Sequence, residues 1–224
     1  MSGAGDLEAV YGHRFSDGDE IRKMAIWAEI VRVLERWIAP GATVLDVACD
    51  QGYFIRNVHA RERWATDIRD LSATFGADVR FVQANGLDIA SAVPASSFDV
   101  VFMSNYLEHL PSSDAVIDQL RAAQQVLRPG GRLIVLQPNI RLVGGAYWDF
   151  IDHKVPLTER SLVEAAETAG LRIEHLVPRF LPYTTKGRMP QRPSLVRAYL
   201  RIPIAWRLLG KQTLMVARRP EDGE

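Results

Sequence analysis

The hydrophobic positions of the chain recur with two different periods that alternate along its length. Short runs rich in β-branched residues predict strands, and stretches with apolar residues every three or four positions predict helices. The predicted strands span residues 43–47, 63–68, 79–83, 98–104, 132–137, 172–177 and 212–218. The predicted helices span residues 21–38, 52–60, 114–127, 158–169, 194–202 and 203–209. Alternation of this kind predicts an α/β protein with a mainly parallel sheet and helices on both faces.

Capping residues at the ends of the segments support these boundaries. Thr158 is an expected N-cap, and Gly170 is the glycine expected just past the end of the same helix. No repeat or low-complexity tract interrupts the order. We therefore predict a single domain over residues 1–224, divided into an N-terminal lid and helix at 1–40, a core at 41–180, a basic helical insertion at 181–211 and a last strand at 212–219.

Chemistry is expected at one edge of the sheet, because ligands of open parallel sheets bind beyond the carboxyl ends of the strands. The first predicted strand contains Asp46 and runs into Ala48-Cys49-Asp50-Gln51-Gly52. This segment resembles motif I of the class I S-adenosyl-L-methionine (SAM)-dependent methyltransferases, hydrophobic-hydrophobic-D-x-G-x-G-x-G. The resemblance implies a seven-stranded Rossmann-like fold with SAM as the cofactor. It also implies that the motif frames SAM through Asp46, Ala48, Asp50, Gly52 and Phe54.

Two positions depart from the motif, because Ala48 and Asp50 stand where the family has its first two glycines. Alanine is a mild change if its φ angle is negative. Asp50 either bonds the methionine ammonium of SAM or repels the methionine carboxylate. A turn without a ligand is the alternative interpretation. A nicotinamide dinucleotide site is disfavoured because the G-x-G-x-x-G pattern is absent.

A second acid follows the second predicted strand, where Asp67 lies 21 residues after Asp46. A carboxylate at this spacing can accept both ribose hydroxyls of an adenosyl ligand, and Ile68 follows it directly. Alone, an exposed Asp that caps a turn is the simpler explanation. After the third strand, Asn85-Gly86 resembles the family segment that contacts adenine, and it is equally consistent with a bare turn.

Residues 97–110 resemble the S-F-D-x-V and E-H-L pattern of small-molecule methyltransferases, and 126–133 resemble a helix–turn–strand junction of the same group. The resemblance places Asn105 and Tyr106 beside the sulfonium of SAM. It places His109 at the start of the next helix, at the mouth of the site. His109 is a candidate general base, since histidine titrates near neutral pH. A structural role for His109 is favoured over catalysis.

The segment 148–158 clusters two acids, a histidine and a lysine before a predicted helix. Its amino-acid sequence resembles that of a bacterial subgroup of methyltransferases linked to surface-glycan or natural-product assembly. His153 and Asp152 are the candidate catalytic residues on the substrate side. A capping network before Thr158 is the alternative for each of them. The sequence indicates no metal site, and the single cysteine, Cys49, excludes a multi-cysteine one.

The net charge of zero hides a basic segment, since residues 179–219 contain ten Lys+Arg and no acid. Three explanations compete. The segment binds an anionic acceptor such as a phosphorylated or nucleotide-linked sugar, or residues 194–211 lie on an anionic membrane, or the cations face the acidic remainder of the domain. We favour the anionic acceptor. Nucleic acid is not an expected partner, because no binding module is present.

The N-terminal segment precedes the first helix and contains Tyr11. In related methyltransferases such a segment folds over the cofactor, so Tyr11 either covers the sulfonium or packs in an ordinary arm. Residues 1–10 carry two acids and no basic residue, unlike a signal peptide. Together with the absence of a long apolar run, this predicts a cytoplasmic protein.

The expected function is methyl transfer from SAM to oxygen or nitrogen of a small, anionic or sugar-containing acceptor in glycan or natural-product biosynthesis. The rival hypothesis, motivated by Ala48 and Asp50, is a protein of the same fold that has lost methyl transfer. Such a protein binds a nucleoside or nucleotide for other chemistry, or has a non-catalytic role.

Overall fold

The computed structural model describes residues 17–183, 192–221 and 223. Its seven strands are β1 (Thr43–Val47), β2 (Glu62–Asp67), β3 (Arg80–Gln83), β4 (Phe98–Ser104), β5 (Leu127–Pro138), β6 (Arg172–Leu181) and β7 (Gln212–Arg218). The α-helices are α1 (Asp17–Leu34), α2 (Ile89–Ala92), α3 (Ser113–Val126), α4 (Ile140–Val143), α5 (Glu159–Thr168), α6 (Pro193–Leu200) and α7 (Pro203–Leu209). Short 3-10 helices span Glu35–Trp37, Ser72–Thr74, Gly86–Asp88, Leu107–His109 and Gly144–Asp149.

The strands form one sheet in the order β3-β2-β1-β4-β5-β7-β6. Strands β1 to β5 pair in parallel, whereas β7 is antiparallel to both β5 and β6. The direction of winding reverses between β1 and β4, where Val47 lies opposite Met103. In sheets of this kind the ligand crevice opens at that switch point. The predicted Rossmann-like fold, mainly parallel and seven-stranded, is confirmed.

Helices cover both faces of the sheet. Along β4, Val101 and Met103 point into one buried cluster that includes α3 and α5, and Val100 and Phe102 point into a second cluster that includes α1. Successive side chains of a strand face opposite sides, so a strand buried on both faces is apolar throughout. The apolar run from 100 to 103 therefore reflects two cores rather than one.

Residues 52–60 form turns instead of the predicted helix. Arg56 and Val58 donate backbone hydrogen bonds to Gly52 and Phe54, 2.9 and 3.0 Å long, but the pattern goes no further. The Asn57 amide instead donates to the Tyr53 carbonyl at 2.7 Å and to the Met24 carbonyl at 3.3 Å. A side chain that bonds local backbone in this way competes with the helical ladder.

The loop after β4 also differs from the prediction. Glu108 and His109 belong to the 3-10 helix Leu107–His109 and do not begin α3, which starts at Ser113. Ser112 caps α3, and its hydroxyl accepts the Ala115 amide at 3.2 Å. Pro111 lacks a backbone N–H, and this favours a break between the two helices.

The basic segment contributes α6 and α7, which pack beside α1 and β6. Arg197 pairs with Glu29 at 2.6 Å, and the Tyr199 hydroxyl donates to the Phe180 carbonyl at 2.6 Å. Several apolar side chains near α7 stay exposed, among them Leu208 at 75%. Contact of residues 194–211 with a membrane stays a prediction, as do the predicted domain subdivisions. Within the described ranges, every helix is too short or too polar to cross a membrane.

Candidate cofactor and acceptor site

The turn after β1 has a left-handed backbone at alternate positions. The φ angles of Ala48, Asp50 and Gly52 are 54°, 48° and 66°. These are the three positions where the family motif has glycine, so the backbone of the motif is kept although two of its glycines are not. Because φ is positive at Ala48, the condition under which alanine would be a mild change is not met. Because non-glycine residues in this region are strained by about 1–2 kcal/mol, the turn holds its shape against a local cost.

Buried groups lock this turn from behind. A Cβ atom on Gly52 would collide with the Phe75 ring, so only glycine fits there. The Asp46 carboxyl is buried and accepts the backbone N–H of Ile55, which fits the predicted orienting role. Burial raises the pKa of Asp46 well above its ordinary value, and it also raises the pKa of the Cys49 thiol. Cys49 therefore stays a thiol and is not a nucleophile.

Asp67, at the carboxyl end of β2, is clamped by Arg69. The guanidinium donates to both Asp67 oxygens, from Nε at 2.9 Å and from Nη2 at 3.1 Å. The backbone amides of Arg69 and Asp50 donate to the same carboxylate at 3.0 and 3.1 Å. Nη2 of Arg69 also donates to the Asp50 carboxylate at 2.8 Å. Asp50 is therefore paired with Arg69, and both effects expected of its charge on SAM stay predictions.

This clamp uses all the acceptor positions of Asp67. An ionised carboxylate offers about four lone-pair sites, and Asp67 receives four hydrogen bonds, two on each oxygen. A ribose that bonds Asp67 through its hydroxyls must therefore displace the Arg69 guanidinium. The two backbone bonds can stay, because they come from the turn itself.

The adenine side of the site combines one apolar and several polar groups. Ile68 follows Asp67 and is exposed, which is unusual for a large apolar side chain at a strand end. Asn85 accepts the Leu87 amide at 3.1 Å and so caps the 3-10 helix Gly86–Asp88. This bond supports the turn interpretation of Asn85, and its contact with adenine stays a prediction.

Tyr106 packs under this edge rather than at the open tip of β4. Burial raises the pKa of Tyr106, and its hydroxyl donates to Gln119 at 2.8 Å. A Cβ atom on Gly86 would collide with that hydroxyl, so Gly86 lets Tyr106 approach the 3-10 helix Gly86–Asp88 that follows β3. Asn105 remains at the tip of β4, exposed, with a left-handed φ of 48°. Of the two residues predicted beside the sulfonium, Asn105 is exposed and Tyr106 is partly buried, and contact of either with SAM stays a prediction.

The three predicted catalytic residues lie together at the mouth of the crevice. Nδ1 of His109 is 3.1 Å from the Asp152 carbonyl oxygen and 3.5 Å from its carboxylate. The His109 and His153 rings are 5.0 Å apart at their centroids. The buried Glu108 completes the group, with one oxygen 3.9 Å from Nε2 of His109. We call Glu108, His109, Asp152 and His153 the mouth cluster.

Two loops are tied together around the mouth cluster. The backbone amides of Lys154 and Val155 donate to the Glu108 carbonyl at 2.8 and 3.1 Å. The Tyr147 hydroxyl donates to the Val155 carbonyl. Burial raises the pKa of Glu108, and the nearby His109 offsets this only in part. The cluster is thus a set of titratable groups fixed by backbone bonds, as catalytic or ligand-binding groups need to be.

Other candidates fall elsewhere. Phe54 is buried in the core and stacks on Phe102 at 3.8 Å, so the expectation that its side chain meets the cofactor is wrong. An aromatic side chain beside α1 gains more from core burial than from an exposed turn. Tyr11 lies outside the described residues.

Two residues of the site were missed in the sequence. Arg69 is 19 residues from Asp50, and only the pairing of β1 with β2 brings the two together. Gln137, at the end of β5, donates to Glu108 at 3.0 Å. For Arg69, the available signal was its position two residues after Asp67, the acid at the end of a strand. No signal in the sequence pointed to Gln137, because a glutamine at the end of a predicted strand does not differ from an ordinary strand residue.

The residues around the β1 turn fit SAM. The left-handed turn gives backbone N–H groups a close approach, Asp67 offers a carboxylate to ribose, and Ile68 offers an apolar surface to adenine. Among the described residues, the Arg69 guanidinium holds the side-chain acceptor positions of Asp67, and it lies at the end of a flexible side chain. The donor set suits a nucleoside with hydroxyls better than a bare phosphate, since acids outnumber cations at the turn.

Comparisons with known proteins agree with this geometry. The family described as "Methyltransferase domain" matches residues 19–176. A ubiquinone/menaquinone biosynthesis C-methyltransferase of Hahella chejuensis is 35% identical over 120 residues, which are 52% of this chain and 46% of that protein. A ubiquinone biosynthesis O-methyltransferase of Xanthomonas euvesicatoria pv. vesicatoria is 27% identical over 217 residues, 85% of this chain and 89% of that protein.

The solved structures agree at the level of the fold. An S-adenosylmethionine-dependent methyltransferase from Mesorhizobium loti superposes with a TM-score of 0.61 at 19% identity, over 84% of this chain and 96% of that one. The chain spans about half the length of the C-methyltransferase relative, so that protein's activity does not carry over by itself. The family match, in contrast, covers well over half of the chain. The chain therefore belongs to the methyltransferase-domain family, that is, to the class I SAM-dependent methyltransferases.

Proposed function

We propose that the protein transfers a methyl group from SAM to a hydroxyl oxygen of a small acceptor. The observation that carries this proposal is the mouth cluster, which gathers Glu108, His109, Asp152 and His153 on the loops beside the β4 tip. A hydroxyl acceptor must lose a proton as the methyl group arrives, whereas a neutral amine nucleophile can react before it loses one. Titratable groups at this position therefore favour oxygen over nitrogen.

Bound SAM supplies a methyl group on a sulfonium, and the displacement itself needs little beyond alignment. The chain's part is to hold both partners. Asp67 binds the ribose after Arg69 has moved aside, and Ile68 packs on the adenine. Asn105, exposed at the tip of β4, lies where the methionine part and the acceptor meet in this proposal. The turn at 48–52 is already formed, so little ordering is left for the cofactor to induce.

His109 is the residue best suited to take the proton. The Asp152 carbonyl oxygen only accepts hydrogen bonds, so Nδ1 of His109 carries the hydrogen between them. Nε2 of His109 is then the basic nitrogen, and it is the nitrogen on the Glu108 side.

The acceptor is the finer part of the proposal. A relative that matches over 85% of this chain is named as an O-methyltransferase of ubiquinone biosynthesis, so a hydroxylated ring is the first class to test. A second class, an anionic or sugar-containing acceptor from glycan or natural-product biosynthesis, is favoured by a cleft lined by Arg32, Arg36, Arg197 and Arg201. That cleft shares no residue with the strand ends, so an acceptor would have to extend towards it.

Methyl transfer can be assayed with isotopically labelled SAM and two acceptor pools, hydroxylated aromatic acids and phosphorylated sugars, with products identified by mass spectrometry. We expect labelled methyl ethers from one pool.

His109→Gln should lower the rate of methyl transfer about 100-fold, the size of a general-base contribution, while S-adenosylhomocysteine still binds. His59→Gln is the control, because His59 is exposed and pairs only with Glu35 among the contacts described. Normal cofactor binding without any methyl transfer would support the rival that has lost the reaction.

A further inference from the structure

We propose that the mouth cluster is a binding site for a divalent transition-metal ion of the zinc class, with Glu108, His109 and His153 as its ligands. One ligand atom from each of these side chains lies within 4.8 Å of the other two. Ligand atoms bound to one ion at about 2.1 Å are about 3–4 Å apart. The three side chains therefore need to close by only about 1 Å, which small side-chain rotations supply.

The ring orientation of His109 is the first support. Its Nδ1 lies 3.1 Å from the Asp152 carbonyl oxygen, which leaves Nε2 with the free electron pair. Metal-binding histidines nearly always hold one ring nitrogen in this way with a carbonyl or carboxylate and ligate through the other. Nε2 is on the side of Glu108, at 3.9 Å from its carboxylate oxygen.

Gln137 is the second and independent support. Its side chain is 1% exposed, and its amide nitrogen donates to Glu108 at 3.0 Å. Its amide oxygen is buried and has no hydrogen-bond partner among the described residues. An unsatisfied buried acceptor costs about 1–3 kcal/mol. A water molecule bound to the ion would satisfy it, because such a water lies beside the carboxylate that Gln137 already contacts.

The ligand set indicates the kind of ion. Two imidazoles and one carboxylate suit Zn²⁺ and its neighbours, whereas Mg²⁺ and Ca²⁺ prefer oxygen ligands alone. Three protein ligands leave a coordination position open, as in catalytic zinc sites. This step rests on the proposed function: an acceptor hydroxyl can fill that position, and the ion would lower its pKa so that its proton passes to solvent. Nε2 of His109 would then hold the ion instead of taking the proton.

The surroundings are rigid enough to keep the ligands in place. His153 is 9% exposed, and its ring contacts Tyr147 and Phe150 at centroid distances of 4.6 and 5.1 Å. Glu108 is fixed through its own carbonyl by the Lys154 and Val155 amides. The ligands from the two loops therefore share one framework, and binding does not have to order them first.

Calorimetric titration of the metal-free full chain with ZnCl₂ tests the site. We expect one ion per chain with a dissociation constant of about 1 μM or below. His109→Gln and His153→Gln should each weaken binding at least about tenfold, and Gln137→Leu about 10–100-fold, as outer-shell partners do. His59→Gln, at an exposed histidine paired with Glu35, should change nothing. Circular dichroism checks that each variant is folded.

Two results would overturn the proposal: no binding to the wild-type chain below about 1 mM, or binding that both histidine variants leave unchanged. If those variants do not fold, the visible spectrum of Co²⁺ added to the wild-type chain decides. Intense bands of a low-coordinate, imidazole-bound ion support the site, and the weak spectrum of the hydrated ion refutes it. S-adenosylhomocysteine binding, measured on the same samples, separates failure of the metal site from failure of the proposed function.

Discussion

Residues 48, 50 and 52 share a left-handed backbone although only the last is glycine. Backbone hydrogen bonds fix this shape. The Cys49 N–H donates to the Thr66 carbonyl of β2 at 2.9 Å, and the Gly52 N–H donates to the Cys49 carbonyl at 2.8 Å. The turn thus keeps a conformation that its own residues disfavour. Strain of this kind persists where surrounding structure over-determines it, and it is common at ligand sites.

Ala48→Gly should relieve that strain. An L-residue in this region costs about 1–2 kcal/mol, and glycine gives back about 0.4–1 kcal/mol through the unfolded state. We expect the free energy of unfolding to rise by about 0.5–1 kcal/mol in urea titrations. Ala95→Gly is the matched control, since Ala95 is exposed and is not among the residues with positive φ. It should lose stability, and an equal loss in both variants would refute the strain argument.

Arg69→Ala should separate stability from cofactor affinity. The variant removes the counter-ion of Asp50 and Asp67, so we expect it to lose about 1–3 kcal/mol of stability. It also frees Asp67 for the ribose, so S-adenosylhomocysteine should bind about three- to tenfold more tightly, as expected from the loss of a competing hydrogen bond. Unfolding curves and calorimetry provide the two values. Affinity that falls together with stability would show that Arg69 contacts the cofactor itself.

Asp46 should make stability depend on pH. Its pKa is raised first by burial and further by Asp67 and Asp50. A carboxyl with a raised folded-state pKa stabilises the fold below its unfolded pKa, and this contribution is lost as pH rises through the folded value. Asp46→Asn has no such titration. The variant should therefore gain stability relative to the wild type as pH rises above the range in which an ordinary carboxyl titrates. A pH-independent difference would contradict the shift.

At the scale of elements, the turn after β3 and the loop after β4 fit together at one contact. Gly86 lies against the Tyr106 hydroxyl, which donates to Gln119 on α3 at 2.8 Å. The contact connects the adenine side of the site to a core helix. Movement of either element is therefore expected to disturb the other.

Gly86→Ala should cost about 1–3 kcal/mol, the usual penalty of overpacking. Tyr106→Phe removes the hydroxyl oxygen, the nearest of the three atoms that an added Cβ would meet within 3.0 Å. Alone it should cost about 1–3 kcal/mol, because Gln119 is left unsatisfied. The double variant should lose clearly less than the sum of the two. Urea unfolding of all four proteins gives the coupling energy. Additive losses would mean that the two residues do not meet.

Sequence patterns predicted the elements unevenly. The limits of β4 and β7 agree with the prediction, because both strands are apolar runs bounded by polar residues. The helix predicted for residues 52–60 was wrong because the Asn57 side chain donates a hydrogen bond to a backbone carbonyl of α1. The periodicity of the sequence carries no information about such a tertiary contact. The 3-10 helix at Leu107–His109 was hidden for a similar reason, since its carbonyl at Glu108 is held by a loop about 46 residues later.

At the scale of the whole molecule, the mainly parallel, seven-stranded sheet was predictable from the alternation of elements and from the family resemblance at strand ends, as Asp46 and Asp67 show. The convergence of the mouth cluster was predictable only in part. His109 and Asp152 were each candidates, but their contact depends on how the 150–158 loop folds back over β4. The Arg69 clamp was not predictable, because it depends on side-chain geometry across two strands.

The central claim is that Asp67 binds the ribose of SAM at a turn already formed for it. Calorimetric titration of the full chain with S-adenosylhomocysteine tests this most directly, with Asp67→Asn as the variant. Asp70→Asn is the matched control, because Asp70 is an exposed acid whose described hydrogen bonds involve only Ser72, through its backbone amide and its side chain. We expect micromolar binding to the wild type and the control, and about 10–100-fold weaker binding to Asp67→Asn, as for hydrogen bonds to a charged group. No binding to the wild type, or equal binding to Asp67→Asn, would contradict the account.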